Sequence, residues 1–336
     1  MARTPMELRS TLRGIIGFGV TPFNGNLEVN IEGLRRNAAH LAEYCDVVVP
    51  LGNNGEIFSL SPEEHKAVGR TVVEEVHKRK PVVVGVGFSL PVATDLARAA
   101  EGYGADGVLA LPPHMTNASD DGLFEYYRTI ASATSLGVLV FQTPAMNFSV
   151  ALLRRLCAIP NIVGMKDEHG DMKQFVRQLA AAGDRMELLC GVGEILAPSY
   201  FALGVKAFTS GIVNFMPETC HKILRHLLKR ETEEAAQIVA TEALAIYDLR
   251  GRRPGYTTVV IKEAMNLCGL QAGPVRPPLS PLAEQDRAEL RGILDHLGLL
   301  RCGWYLRDRH RIPARSPAAS FPCCRIRAAS VSMRTY

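Results

Sequence analysis

Short apolar runs alternate with stretches of helical period over roughly the first 220 residues of the chain. The runs fall at 15–21, 47–51, 82–86, 107–111, 138–142, 162–166, 188–192 and 207–212. Nearly all are continuous rather than alternating, the pattern of parallel strands covered on both faces. Between the first two, Ile31, Leu34, Ala38, Leu41 and Cys45 recur at helical spacing. Ser61-Pro62-Glu63-Glu64 is a capping box with proline at the first helical position, so it opens a helix. Ser149 precedes another helical stretch at 150–158, and Pro217 opens one that runs to about Lys229.

Eight strand–helix units in this length predict an α/β fold, a (β/α)8 TIM barrel, rather than an open doubly wound sheet. Beyond them, 231–250, 257–268 and 281–296 read as a small C-terminal helical appendage. The expected divisions are a barrel over 1–225, a helical region over 226–299 and a basic, disordered tail over 300–336.

Composition changes this picture only at the tail. The net charge of +4 is misleading, because residues 301–336 hold eight arginines and one acid, leaving the rest at −3. The body lacks the basic field of a nucleic-acid binder, and no apolar stretch approaches the ~20 residues of a membrane span. The scattered arginines of the tail fit a solvated extension better than a nucleic-acid arm. Cys45, Cys157, Cys190, Cys220 and Cys268 form no C-x-x-C pair and no metal-ligand spacing, so they read as core residues of a reduced compartment. With no secretory signal at the N-terminus, the chain is expected to be soluble and cytoplasmic, without nucleic-acid or membrane partners.

Against that frame one lysine stands out. Lys166 ends the apolar run Ile162-Val163-Gly164-Met165, just before Asp167-Glu168-His169. Burying an ammonium costs several kcal/mol of hydration, whereas a neutral, desolvated amine is what Schiff-base chemistry requires. The simpler reading is an ion pair with Asp167 or Glu168. Active sites of barrels lie at the C-terminal ends of the strands, which favours the Schiff base.

Other motifs on the same rim carry less. Gly52-Asn53-Asn54-Gly55-Glu56 can turn tightly and present amides to a carboxylate, or be an ordinary βα turn. Gly85-x-Gly87 and Gly191-x-Gly193 lack the third glycine and acidic partner of a dinucleotide fingerprint, which argues against a nicotinamide cofactor. His114 and His169 are candidate proton carriers, with Glu56, Glu168 and Glu194 as weaker ones. Ser210 and Asn214 could meet a polar substrate or cap the following helix.

Together these residues resemble the family of dihydrodipicolinate synthase and N-acetylneuraminate lyase, over residues 12–298. The motifs that carry the resemblance are Gly52-x-x-Gly55-Glu56, Val163-Gly164-Met165-Lys166-Asp167 and Gly191. Within the family the chain looks most like the 5-dehydro-4-deoxyglucarate dehydratases. That likeness rests on Leu111-Pro112-Pro113, residues 119–123, Asn214-Phe215-x-Pro217 and the distinctive Ala272-Gly273-Pro274-Val275-Arg276-Pro277-Pro278-Leu279.

The resemblance implies a Schiff-base hydro-lyase needing no metal or organic cofactor, because the lysine itself is the electron sink. Lys166 would attack a sugar-acid-derived 2-oxo acid, and dehydration with decarboxylation of 5-dehydro-4-deoxyglucarate would give 2,5-dioxopentanoate. Asn53 and Asn54, with their turn amides, would hold the C1 carboxylate, Ser210 and Asn214 would meet the distal hydroxyls or carboxylate, and Gly55 and Gly191 would be further substrate-binding residues. A homotetramer is the family's habit. Two departures matter. The family's proton-shuttling tyrosine is replaced by Phe141, in Phe141-Gln142, and no arginine stands near Met146 for a second carboxylate, which argues against dihydrodipicolinate synthesis. Alternative readings are a 2-oxo-acid aldolase of the same family, or a catalytically weakened barrel that binds an oxo acid.

Overall fold

The structure, a computed structural model, describes residues 2–76, 79–113 and 116–301. His114 and the expected tail from residue 302 onward lie outside the described residues. Eight parallel strands run β1 (Gly14–Phe18), β2 (Val47–Val49), β3 (Val83–Val86), β4 (Gly107–Ala110), β5 (Gly137–Gln142), β6 (Ile162–Asp167), β7 (Glu187–Cys190) and β8 (Ala207–Ser210). They are ordered β2-β1-β8-β7-β6-β5-β4-β3. The β2–β3 seam is bridged by Val48 N–H donating to the Pro81 carbonyl and Gly85 N–H to that of Pro50, each at 3.0 Å. The expected barrel is therefore present.

Helices cover the outside: α2 (Ile31–Tyr44), α3 (Pro62–Val76), α4 (Leu90–Gly102), α5 (Asp120–Ser132), α6 (Val150–Leu156), α7 (Met172–Ala182), α8 (Ala197–Ala202) and α9 (Pro217–Leu228). The capping box at α3 forms as expected, Ser61 N–H donating to Glu64 and Glu64 N–H to Ser61 Oγ. Helix α9 runs through residue 225, where the barrel was expected to end. The first appendage helix is broken into α10 (Thr232–Ile238) and α11 (Leu244–Gly251) by a π turn at Val239–Ala243. Helices α12 (Tyr256–Leu267) and α13 (Glu284–His296) complete it. No described helix is long and apolar enough to cross a membrane.

Several strands stop short of their expected C-terminal ends. Strand β1 ends at Phe18 rather than 21, β2 at Val49 rather than 51, and β8 at Ser210 rather than 212. The residues beyond leave the ladder to shape the rim: Leu51 turns at φ 63°, and Ile212–Asn214 forms a 3-10 turn. Strand β6 instead extends to Asp167, and Glu168 N–H continues the ladder onto the Gln142 carbonyl at 3.0 Å.

The sequence reading missed α1 (Pro5–Thr11), although Thr4-Pro5-x-Glu7 repeats the capping signal of α3. Leu8 and Leu12 fill the N-terminal end of the lumen, in one apolar cluster with Val83, Leu109, Leu139 and Val163. Glycine is required opposite them: a Cβ on Gly107 or Gly137 would come within 2.4 or 2.8 Å of Leu8 Cδ2.

Outside the lumen, fully buried His65 of α3 donates Nε2–H to the Gly85 carbonyl at 2.8 Å, which fixes its neutral tautomer. Burial holds its imidazole at about 4. Between an unfolded value near 6.5 and 4, the unfolded chain takes up a proton that the fold refuses. Stability should therefore fall by up to ~1.4 kcal/mol per pH unit as pH drops through this window. Thermal denaturation of the wild type and His65→Gln from pH 7 to 4 checks this; the variant's decline should be shallower.

Candidate active site

Alternation along β6 directs Lys166 into the lumen and Asp167 outward to the helix layer. Asp167 is fully buried there, accepting from Gln142 Nε2 at 2.8 Å, Tyr200 Oη at 2.6 Å and His169 N–H at 2.9 Å. Lys166 is only 5% exposed, at the floor of a cavity of about 240 Å³ that opens at the C-terminal end of the barrel. That volume lies below the ~300–1,000 Å³ of pockets for drug-sized ligands, and so suits a small acid.

The Lys166 ammonium ion-pairs with Glu168, whose side chain is 37% exposed. Its Nζ also lies 3.7 Å from the centre of the Phe141 ring and 5.2 Å from that of Phe18. The ion pair of Lys166, with Asp167 or Glu168 as the expected partner, is thus made with Glu168, and Asp167 is engaged elsewhere. Phe141 is the register partner of Lys166 on β5. It brings a ring face to the amine, and no hydroxyl.

Gly191 allows this packing. A Cβ on it would come within 2.6 Å of the Asp167 carbonyl oxygen and 2.8 Å of Lys166 Cγ. Asn53, Asn54, Gly191 and Ser210 line the cavity with Lys166 and Phe141, although the Ser210 hydroxyl accepts from Val213 N–H at 2.9 Å and lies 3.5 Å from Cys220 Sγ, so it caps the turn after β8. Asn53 and Asn54 begin a 3-10 turn, Asn53–Gly55, whose first N–H groups find no partner inside the turn.

Three expected residues lie off the cavity lining. Gly55 sits behind the turn, its carbonyl accepting from Thr21 Oγ1 at 2.7 Å. Asn214 donates its amide to the carbonyls of Phe18 and Gly211 at 2.9 and 2.7 Å, so it positions the loop after β8 instead of meeting a substrate. His169 keeps its ring outside the lining, with a buried Nδ1 that finds no partner. Glu194 is also withdrawn: fully buried, it accepts from Tyr247 Oη and, at 3.2 Å, from Cys220 Sγ. Burial and the Glu194 charge push the Tyr247 hydroxyl well above its ordinary range, so it remains a donor.

The sequence reading missed what the appendage contributes. Tyr247, Arg250 and Thr257 complete the cavity wall, with Arg250 donating Nε–H to the Thr257 carbonyl at 3.2 Å. An adjoining cavity of about 810 Å³ shares Asn53 and Phe141 but is otherwise walled mainly by apolar and loop residues. The chemistry belongs to the smaller cavity, since Lys166 opens only there.

A second buried lysine was also missed. Lys262 of α12 is 1% exposed, and Nζ donates to Glu56 Oε1 at 2.7 Å and to the Thr21 carbonyl at 2.9 Å. Burial pushes its amine down to about 8 against the opposing pull of Glu56. It lines neither cavity, so it joins α12 to the β2 turn rather than meeting substrate. Its signal was present: Val259-Val260-Ile261-Lys262 ends an apolar run as Lys166 does. The other Glu56 oxygen accepts from Arg276 N–H at 2.9 Å. The Arg276 guanidinium in turn holds the Leu27 and Ser59 carbonyls and Glu64, whose carboxyl it keeps below the usual range.

A profile of the dihydrodipicolinate synthetase family matches residues 11–297. A probable 5-dehydro-4-deoxyglucarate dehydratase of Methylobacterium radiotolerans is 35% identical, covering 87% of this chain and 97% of that protein. The crystal structure of dihydrodipicolinate synthase from Oceanobacillus iheyensis superposes with a TM-score of 0.84 at 32% identity, over 88% of this chain and 99% of the other. The enzyme of that name from Acinetobacter baumannii, solved with pyruvate, gives 0.80 at 28% identity, over 86% and 99%.

Replacing Lys262 with methionine strands a buried carboxylate, which costs about 3–5 kcal/mol. Lys262→Met should lose that much in denaturant unfolding, and Glu56→Gln combined with it should recover a large part.

Proposed function

Because the chain belongs to the dihydrodipicolinate synthetase family, we propose that it is a Schiff-base lyase that dehydrates a sugar-acid-derived 2-oxo acid, 5-dehydro-4-deoxyglucarate being the substrate. The observation that carries this is the Lys166 amine at the floor of a small cavity lined with amide and hydroxyl donors. The relatives named as dehydratases support the substrate assignment.

Lys166 Nζ adds to the C2 ketone, and loss of water leaves a protonated imine conjugated to the C1 carboxylate. A C3 proton departs, and the pair left behind flows toward nitrogen. The enamine then expels the C4 hydroxyl as water, the distal carboxylate leaves as carbon dioxide, and water hydrolyses the imine to free Lys166. One substrate dianion and one proton thus become 2,5-dioxopentanoate, carbon dioxide and water. Asn53 and Asn54, with their turn amides, hold the C1 carboxylate in this reading, and Gly191 lets the lysine lie against β7. Arg250 is the second cation among the described residues lining the cavity, which suits a substrate with a carboxylate at each end. Tetrameric assembly, the family's habit, belongs to this reading too.

One observation favours a second reading, a barrel that binds an oxo acid and turns it over slowly. The Phe141 ring beside the amine has no proton to give. Losing a general acid–base costs ~10²–10⁴-fold in rate unless another group supplies it.

Incubation with 5-dehydro-4-deoxyglucarate and borohydride should leave a reduced adduct on Lys166, located by peptide mass, and none on Lys166→Ala. Without borohydride, the wild type should release carbon dioxide and 2,5-dioxopentanoate. No adduct overturns the Schiff-base reading; an adduct without product favours the weakened barrel.

A further inference from the structure

We propose that Glu168 is the acid–base catalyst of this site, the group that moves protons where Phe141 cannot. The inference rests on the Schiff-base reading and adds the identity of the proton carrier to it. Three observations point to it. The Glu168 carboxylate contacts Lys166 Nζ directly, so any carbon joined to that nitrogen forms beside it. It is the only carboxylate among the described residues that line the cavity, the remaining ionisable ones being Lys166, Arg250 and Tyr247. Tyr247 is occupied, its hydroxyl given to Glu194. Finally, the Glu168 backbone is fixed by its hydrogen bond to Gln142, one rung beyond the Phe141–Lys166 pair, while its side chain keeps partial access to solvent.

The proton account closes on this one group. Glu168 first takes a proton from the Lys166 ammonium, freeing the amine to attack C2. The attacking nitrogen passes one proton to the C2 oxygen, giving a neutral carbinolamine, and the carboxylic acid then protonates that hydroxyl, which leaves as water as the C=N bond forms. The regenerated carboxylate removes a proton from C3, two bonds from nitrogen. The C–H pair becomes the C2–C3 double bond, and the imine pair moves onto nitrogen. The enamine then expels the C4 hydroxyl, which takes the proton from Glu168 and departs as water. The carboxylate ends as it began.

An ion pair that merely holds Lys166 in place makes the opposite forecast. Removing Glu168 would then leave proton removal from C3 unimpaired.

Pyruvate tests this, because its methyl group corresponds to C3. The full-length wild type in deuterium oxide should form a borohydride-trappable adduct on Lys166 and exchange the methyl hydrogens for deuterium, followed by proton NMR. Glu168→Gln, trapped to completion, should still carry the adduct but exchange roughly 10²-fold or more slowly per adduct. Exchange at the wild-type rate in that variant overturns the proposal, as does a wild type that traps pyruvate without exchange. If Glu168→Gln traps nothing, Glu168→Ala with added formate decides: restored trapping and exchange support the assignment, and their absence sinks it. A wild type without adduct removes the Schiff-base reading itself, so the two failures are distinguishable.

Discussion

A closed barrel of eight parallel strands has to be filled from within, because its lumen is a packed core and not a pore. In this chain the filling begins with Leu8 and Leu12 at one end and continues through Leu109, Leu139, Val163 and Leu189. It stops at Phe18, Phe141 and Lys166, where the side chains no longer meet across the axis and a cavity opens. Side-chain alternation makes the arrangement unforgiving. A one-residue slip of β6 would exchange Lys166 for Asp167 and would break the outward network of Gln142, Asp167 and Tyr200. Floor, filling and catalytic rim are consequences of one register.

The mouth of the barrel needs separate support, because the loops there leave the strand ladder. Leu51, Glu56 and Phe88 all have positive φ, a backbone state that costs a non-glycine residue on the order of 1–3 kcal/mol unless its surroundings hold it. At Glu56 the surroundings are plain: Lys262 and the Arg276 backbone occupy its two oxygens. The segment that most distinguished this chain within its family thus has a mechanical task. Arg276 straps the β1 loop and the start of α3 together over the face of Phe23. The same segment holds Glu56, which ends the turn of Asn53 and Asn54, through the Arg276 N–H.

How much of this was legible in the sequence depended on range. The continuous apolar runs and the capping signal at Ser61 gave the strands and helices, because burial on both faces and helix capping are local properties. Lys166 was legible for the same reason, as a charge at the end of a buried run. The roles of Asn214 and Glu194 were not, since a backbone carbonyl of Phe18 and a hydroxyl at Tyr247 decide them from far along the chain. Arg250 and Tyr247 were hidden because an appendage that reads only as amphipathic helix gives no sign of which barrel end it covers. Lys262 is hidden for another reason: inside a helical stretch a lysine after Val259-Val260-Ile261 reads as a solvated helix edge, and its partner Glu56 lies far back along the chain.

Helix α1 also has a consequence for how the molecule is made. It precedes every strand of the barrel in the chain, yet the walls it plugs are β4, β5 and β6, and Arg3 is tied to Asp106. At a translation rate of about 5–20 residues per second, Leu8 and Leu12 spend roughly 10–30 s outside the ribosome before β6 exists to receive them. During that interval the nascent chain displays two leucines that nothing of its own can cover. The barrel cannot be floored strand by strand; its base closes only once β6 has followed β4 and β5.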